Sequence, residues 1–205
     1  MPRSWNEIDW DADVPDFAEI VASRDQIVWS QVPVTEPALE PLLRQLAATH
    51  VNGGYLLARF RAVAYPDATA WYLSRNRFAD YHFLRFFFSD AVVREGLRDL
   101  KIPEKPDDGS FEEQWAGSLC LDGLLAGLIV NGGAYKAFDG PAREAKAIAT
   151  AAVEALTQNR FEDFRVDISH APWTPWFHDI AWDITYVLTD LANAEVTVLC
   201  VTDTD

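Results

Sequence analysis

Ile180-Ala-Trp182-Asp-Ile184-Thr-Tyr186-Val-Leu188-Thr189, then Glu195-Val-Thr-Val-Leu-Cys-Val-Thr202, is the stretch from which the fold is read. In the first run Ile180, Trp182, Ile184, Tyr186 and Leu188 alternate with Ala181, Asp183, Thr185, Val187 and Thr189. Side chains of a strand point to opposite faces with a period of two, so the alternation predicts a half-buried strand. Leu191-Ala-Asn-Ala194 turns the chain, with Asn193 able to take a positive φ. The second run returns as its partner, which makes a C-terminal β-hairpin with position 183 opposite roughly 202. Residues 26–32 and 164–168 carry the same β-branched and aromatic bias and are expected to add strands.

Upstream the period changes. Leu39, Leu42, Leu43, Leu46 and His50 share one helical face, with Pro37 or Pro41 suited to the first turn. Phe111, Trp115, Leu119, Leu121, Leu125 and Leu128 predict a second helix, whose Ala116, Cys120, Gly123 and Gly127 form a stripe for close helix packing. A third is expected after Asp139-Gly140-Pro141, running to about Thr157 with Ala145, Ile148, Ala149, Ala152 and Leu156 inward. Two or three more helices are expected between Tyr55 and Leu100, where the chain is apolar nearly all round. Asn52-Gly53-Gly54 and Asn131-Gly132-Gly133 each follow an apolar helical pattern, where glycine supplies the left-handed residue that ends a helix. The fold class is therefore α+β: a predominantly helical single domain, 1–205, with a small antiparallel sheet that includes the C-terminal hairpin. An exposed loop near 102–110 is expected to separate two helical halves that share one core.

The 205 residues hold 32 acids against 17 Lys and Arg, a formal charge of −15. The charge is uneven: residues 1–40 carry −7, residues 41–105 carry +4 and residues 106–205 carry −12. Such a molecule is repelled by phosphate backbones and anionic membranes and attracted to basic proteins. Double-stranded nucleic acid and membrane are accordingly not expected partners. The longest apolar stretch, Leu119 to Val130, is far short of the roughly 20 residues of a membrane span. The acidic N-terminus lacks the apolar core of a signal peptide, so a cytoplasmic protein is expected. Cys120 and Cys200 sit in apolar runs and read as buried free thiols, too few for a disulfide scaffold.

Three constellations are candidates for function. Asp183 on its strand and Asp203 just past the partner strand should converge, with Asp179 and Asp205 nearby, and converging carboxylates gain affinity for a proton or a divalent cation. His170 and His178 flank the loop Ala-Pro-Trp173-Thr-Pro-Trp176-Phe, and with Asp183 and Asp203 they are the candidate metal ligands, although no zinc signature is matched. Exposed indoles at Trp173 and Trp176 would make that loop a binding edge rimmed by carboxylates. The basic aromatic stretch from Arg59 to Phe88, with Arg75 and Arg77, has the composition of a nucleotide-stacking surface, but its rings also read as core. Nucleotide-binding glycine motifs, a nucleophile elbow and paired CxxC are absent, and no cofactor is expected.

The leading functional expectation is a cytoplasmic acidic protein-binding module, an immunity-type inhibitor of a basic toxin or nuclease, acting through Trp173, Trp176, Asp179, Asp183, Asp203 and Asp205. The alternatives are a metal-assisted hydrolase or small-molecule-binding enzyme at the C-terminal hairpin and a structural homo-oligomer without ligand.

Overall fold

The computed structural model describes residues 4–107 and 109–205. Its centre is a six-stranded antiparallel sheet in the order β1-β2-β6-β5-β4-β3. The strands are β1 (Val28–Val32), β2 (Gly54–Ala64), β3 (Glu112–Glu113), β4 (Phe164–Ser169), β5 (Ile184–Asp190) and β6 (Glu195–Thr202). The hairpin is β5–β6, with Ile184 opposite Val201 and Asp190 opposite Glu195. The expected strand at 180–189 begins at Ile184 instead, because Asp183 ties residues 178–183 into a turn. It is also buried along its whole length rather than half-buried.

That burial follows from helices on both faces. Among the described residues one layer holds α1 (Phe17–Arg24), α3 (Asp67–Ser74), α4 (Phe78–Tyr81), α5 (Phe83–Ser89) and α6 (Ala91–Gly96). The other holds α2 (Leu39–Thr49), α7 (Leu121–Asn131) and α8 (Ala142–Thr157). The two-residue period divides the sheet between them. Val187, Val196, Val198 and Cys200 enter the first core, and Tyr186, Leu188, Leu199 and Val201 enter the second. Strands covered on both faces need apolar residues at nearly every position, as in Val196-Thr-Val-Leu-Cys-Val201.

Helices α2 and α8 fall where the periodicity places them. The other two readings change. Residues 55–64 were expected in helical territory but form most of β2, between β1 and β6. Residues 111–120 do not begin the second helix: they form β3, a turn through Gly117 at φ 54° and a short 3-10 turn. Phe111 packs on Phe88 in the first core, while Trp115 is fully exposed. The glycine stripe is not a tight seam, since a side chain at Gly127 would meet open space and one at Gly123 only the end of the Lys146 side chain of α8. The small residues buried in the second core are Ala126 of α7 and, with no exposure at all, Ala145, Ala149 and Ala152 of α8.

The Arg59–Phe88 stretch is mostly core. Phe60, Tyr72, Phe78, Tyr81, Phe83, Phe87 and Phe88 are buried, many in edge-to-face contact, as Trp29 is with Phe87 at 4.9 Å. Arg59 lies nearly covered beside Glu36, at 2.6 Å, and Thr197, and Arg61 pairs with Glu195. The loop near 102–110 includes Asp108, which lies outside the described residues. Around it Ile102 and Pro106 are buried and the rest is largely exposed. The two halves on either side of it interlock, since β2 pairs with β6 and α2 packs with α7 and α8. Cys200 is buried and its thiol is pushed up to about 12 by burial, whereas Cys120 is half-buried.

Candidate functional site

The C-terminal residues are brought near one another only in part. Trp173 is half-buried on Phe88, at 4.5 Å between ring centroids, and its indole N–H donates to Thr185 Oγ1 at 2.9 Å. Trp176 leans on Phe177 at 5.1 Å. Both indoles are therefore part of the wall of the first core. Asp183 is only 1% exposed. It accepts from the backbone N–H groups of His178 and Ile180 at 3.0 and 3.1 Å and from Thr202 Oγ1 at 2.5 Å. Its work is to shape the turn that carries His178 and Asp179, both exposed, with Asp179 at φ 59°. His170 and Asp205 are exposed as well. Among the described residues no three His, Cys, Asp or Glu side chains are grouped so as to hold a metal ion.

Asp203 is fully buried, and its place explains the repeated Asn-Gly-Gly. One carboxylate oxygen accepts from the Asn52 backbone N–H at 2.8 Å and the other from that of Ala134 at 2.7 Å. Each loop thus lays its backbone on the same side chain. A Cβ on Gly133 would run into the Asp203 carboxylate and the Thr49 carbonyl, and one on Gly53 into the Thr202 carbonyl. Gly132 ends α7 at φ 63°, as glycine allows. In the first loop the cap of α2 is His50, and the left-handed glycine is Gly54, which opens β2. His50 is buried, with Nδ1 2.9 Å from Thr49 Oγ1 and 3.3 Å from the Leu46 carbonyl, and Nε2 without a hydrogen-bond partner. Burial holds its imidazole below the usual histidine range, against the opposing pull of the Leu46 carbonyl and the Asp203 charge. Asp183 and Asp203 therefore act inside the fold, and neither is available to a surface.

The surface that combines acid with exposed apolar side chains lies at the other end of the chain. Residues 7–19 contain Glu7, Asp9, Asp11, Asp13, Asp16 and Glu19 and no base. Between and just after them stand Trp10, 80% exposed, Phe17, 79% exposed, Val14 and Val21. The segment is anchored at both ends. Trp5 is fully buried against Trp29, Tyr65 and Phe83, and its backbone N–H donates to the Leu191 carbonyl at 2.8 Å. Asp16 caps α1, accepting from Glu19 N at 2.8 Å while the Glu19 carboxylate accepts from Asp16 N at 2.8 Å. Residues 7–15 between these anchors form no helix or strand, and turn only at 10–12.

Arg75, at the end of α3, ties this strap to the body. Its guanidinium donates to the Asp9 carbonyl at 2.5 Å, lies 4.3 Å from the Trp71 ring centroid and 5.9 Å from that of Trp10. Between strap, α1 and α3 is a cleft of about 580 Å³, lined among others by Glu7, Asp13, Glu19, Asp67 and Trp71. Sequence reasoning registered the net −7 of residues 1–40 but not this site. The signal was present in the interleaving of Trp10, Val14 and Phe17 with carboxylates, a pattern a core segment would not carry. No helix among the described residues is long and apolar enough to cross a membrane. In comparison with known proteins, the chain matches no family model and no curated protein.

Proposed function

We propose that this chain is an acidic protein-binding module that holds a basic protein partner, in the manner of an immunity protein masking a basic toxin or nuclease. One observation carries the reading: the most exposed large apolar side chains of the N-terminal segment, Trp10, Val14 and Phe17, sit among six carboxylates with no base between residues 7 and 19. Exposed aromatic residues supply contact area at low ordering cost, and the surrounding charge steers a basic partner and fixes its orientation. The exposed Asp179 and Asp205 add to the acidity of the molecule, while the work of Asp183 and Asp203 inside the fold moves the proposed contact from the C-terminal hairpin to the N-terminal strap.

The test compares wild type with Asp11→Lys/Asp13→Lys, two exposed positions outside any helix. Each form is immobilised, exposed to lysate of the native host and eluted with rising salt. The reading requires one basic protein retained by the wild type, released by salt and lost from the double variant. Its purified form must then associate more slowly as ionic strength rises. Retention of the same protein by both forms, or of none by the wild type, overturns it.

A further inference from the structure

The sheet has two edges, and they are finished differently. At one end β3 is two residues long, and both are glutamates. Short length and charge keep an edge from pairing with another chain. At the other end β1 has five residues, Val28-Trp-Ser-Gln-Val32, inside a run from Gln26 to Thr35 that carries no charge. We infer that β1 pairs antiparallel with β1 of a second copy of this chain, Ser30 opposite the partner's Ser30 on a two-fold axis, so that the two sheets join into one.

The ladder on the inner side fixes which groups face out. The Ala62 N–H donates to the Ala194 carbonyl at 2.9 Å, so the backbone of Ala62 is turned toward β6 and that of its neighbour Arg61 toward β1. Ser30 is opposite Arg61 and turns its own N–H and carbonyl inward to meet it. Trp29 and Gln31, one residue to either side, therefore aim theirs out of the sheet. Among the described residues no backbone hydrogen bond from another element than β2 reaches residues 28–32. The next outward position is Pro33, which has no N–H, so the open edge ends with β1. Where the register shifts, the extra residue is Val63 of β2, and β1 itself runs unbroken.

Self-complementarity names the occupant. About an axis at Ser30, Trp29 faces the partner's Gln31 and Gln31 faces the partner's Trp29. Both are pairs of the kind that exchange two N–H···O=C bonds. Val28, 52% exposed, meets the partner's Val32 and covers open apolar surface. No charge stands on the strand, so two molecules of −15 meet here without opposing like charges across the ladder. A strand pair of this length buries less than the roughly 1,200 Å² of a standard stable interface, so the dimer exchanges with monomer and follows concentration. Salt screens the long-range repulsion of the two copies and tightens the pair, the opposite of its effect on a basic partner.

Sedimentation velocity of the full chain, from micromolar to near-millimolar concentration, is the test. Wild type should pass from monomer to dimer, and do so at lower concentration in high salt. Gln31→Pro removes an outward N–H that its own protomer does not use, so β1 keeps its ladder to β2 and the variant should stay monomeric. Ser30→Lys, at an exposed position, sets two ammonium groups together on the axis and should stay monomeric as well. Far-UV circular dichroism checks both folds, and either folded variant decides the matter. Ser30→Cys reads the register. Facing residues of a pair without hydrogen bonds have Cα atoms about 4.5 Å apart, within the disulfide range of about 4.4–6.8 Å. Diamide, which takes up the two thiol hydrogens, should link Ser30→Cys into a covalent dimer. It should leave wild type unlinked, and Val28→Cys too, whose two copies lie at opposite ends of the ladder. A wild type that stays monomeric at every concentration and salt overturns the inference. So does a dimer that survives in either folded variant, or one that Ser30→Cys fails to trap. Each of these outcomes leaves the acidic docking face standing, since its test uses a different surface and a different partner.

Discussion

Asp203 shows how much of the fold a single side chain can hold. It carries a charge into a fully buried position and offsets that cost by receiving one backbone N–H on each oxygen. Those donors come from the loop after α2 and the loop after α7, so the carboxylate joins two connections to the end of β6. The Asn-Gly-Gly echo was visible in the sequence, but its cause was not. The donors lie 151 and 69 residues away along the chain, and no local pattern reports a partner at that separation. Asp203→Asn is the direct probe. An amide offers a single acceptor oxygen, so one backbone N–H loses its partner and faces an NH2 group instead. The expected cost is about 1–3 kcal/mol, that of a buried donor left unpaired. Urea denaturation measures it as a lowered midpoint at unchanged slope. An unchanged midpoint would mean that the loops hold themselves.

Elements were legible where one face alone decides them. Helix α8 was read correctly to its last residue because alanines and Leu156 recur on one side and charged residues on the other. The C-terminal hairpin was read because its turn is short and its pairing local. Two elements resisted for opposite reasons. Residues 55–64 do hold a strand period, with Ala58, Phe60 and Ala62 buried and Arg59, Arg61 and Val63 between them, but it is short, and Tyr55-Leu56-Leu57 before it are apolar toward both layers and mask it. Phe111, Trp115 and Leu119 have helical spacing but no common face: the first ring packs in the first core and the other two side chains are exposed. Helices α7 and α8 are in contact, and Ala145, Ala149 and Ala152 of α8 share the second core with Leu121, Leu125 and Ile129 of α7. Enlarging the middle position tests that placement. Ala149→Leu adds three carbons to a site with no exposure and should lower stability by about 1–3 kcal/mol through overpacking. The same change at Gly127, where a side chain meets open space, should cost only its backbone and propensity effects or stabilise the helix. Comparable losses at the two positions, read from thermal melts of both variants, would place the contact wrongly.

At the scale of the molecule the sheet is the common wall of two cores. Trp5, Trp29, Trp71, Trp173 and Trp176 all belong to the first, and the second contains no tryptophan among its buried or packed members. The fluorescence change on unfolding therefore comes mainly from that face, since Trp10 and Trp115 are already exposed and Trp182 belongs to neither core, while far-UV circular dichroism reports helices on both. Strands β5 and β6 send alternate side chains to each side, so loosening one face withdraws support from the same backbone that serves the other. The two cores should consequently unfold together. Leu125→Ala removes a side chain that is 1% exposed on the tryptophan-free face, at a cost of about 2–5 kcal/mol for the lost burial and the cavity left behind. If the sheet couples the faces, the fluorescence midpoint in urea falls as far as the circular dichroism midpoint, although the nearest affected helices carry none of the reporting indoles. Phe87→Ala, on the tryptophan side, should shift both signals together as well. A fluorescence transition that stays in place while the dichroism transition moves would divide the chain into two cooperative units meeting at the sheet. The N-terminal strap would then ride on the first unit alone, anchored there by Trp5.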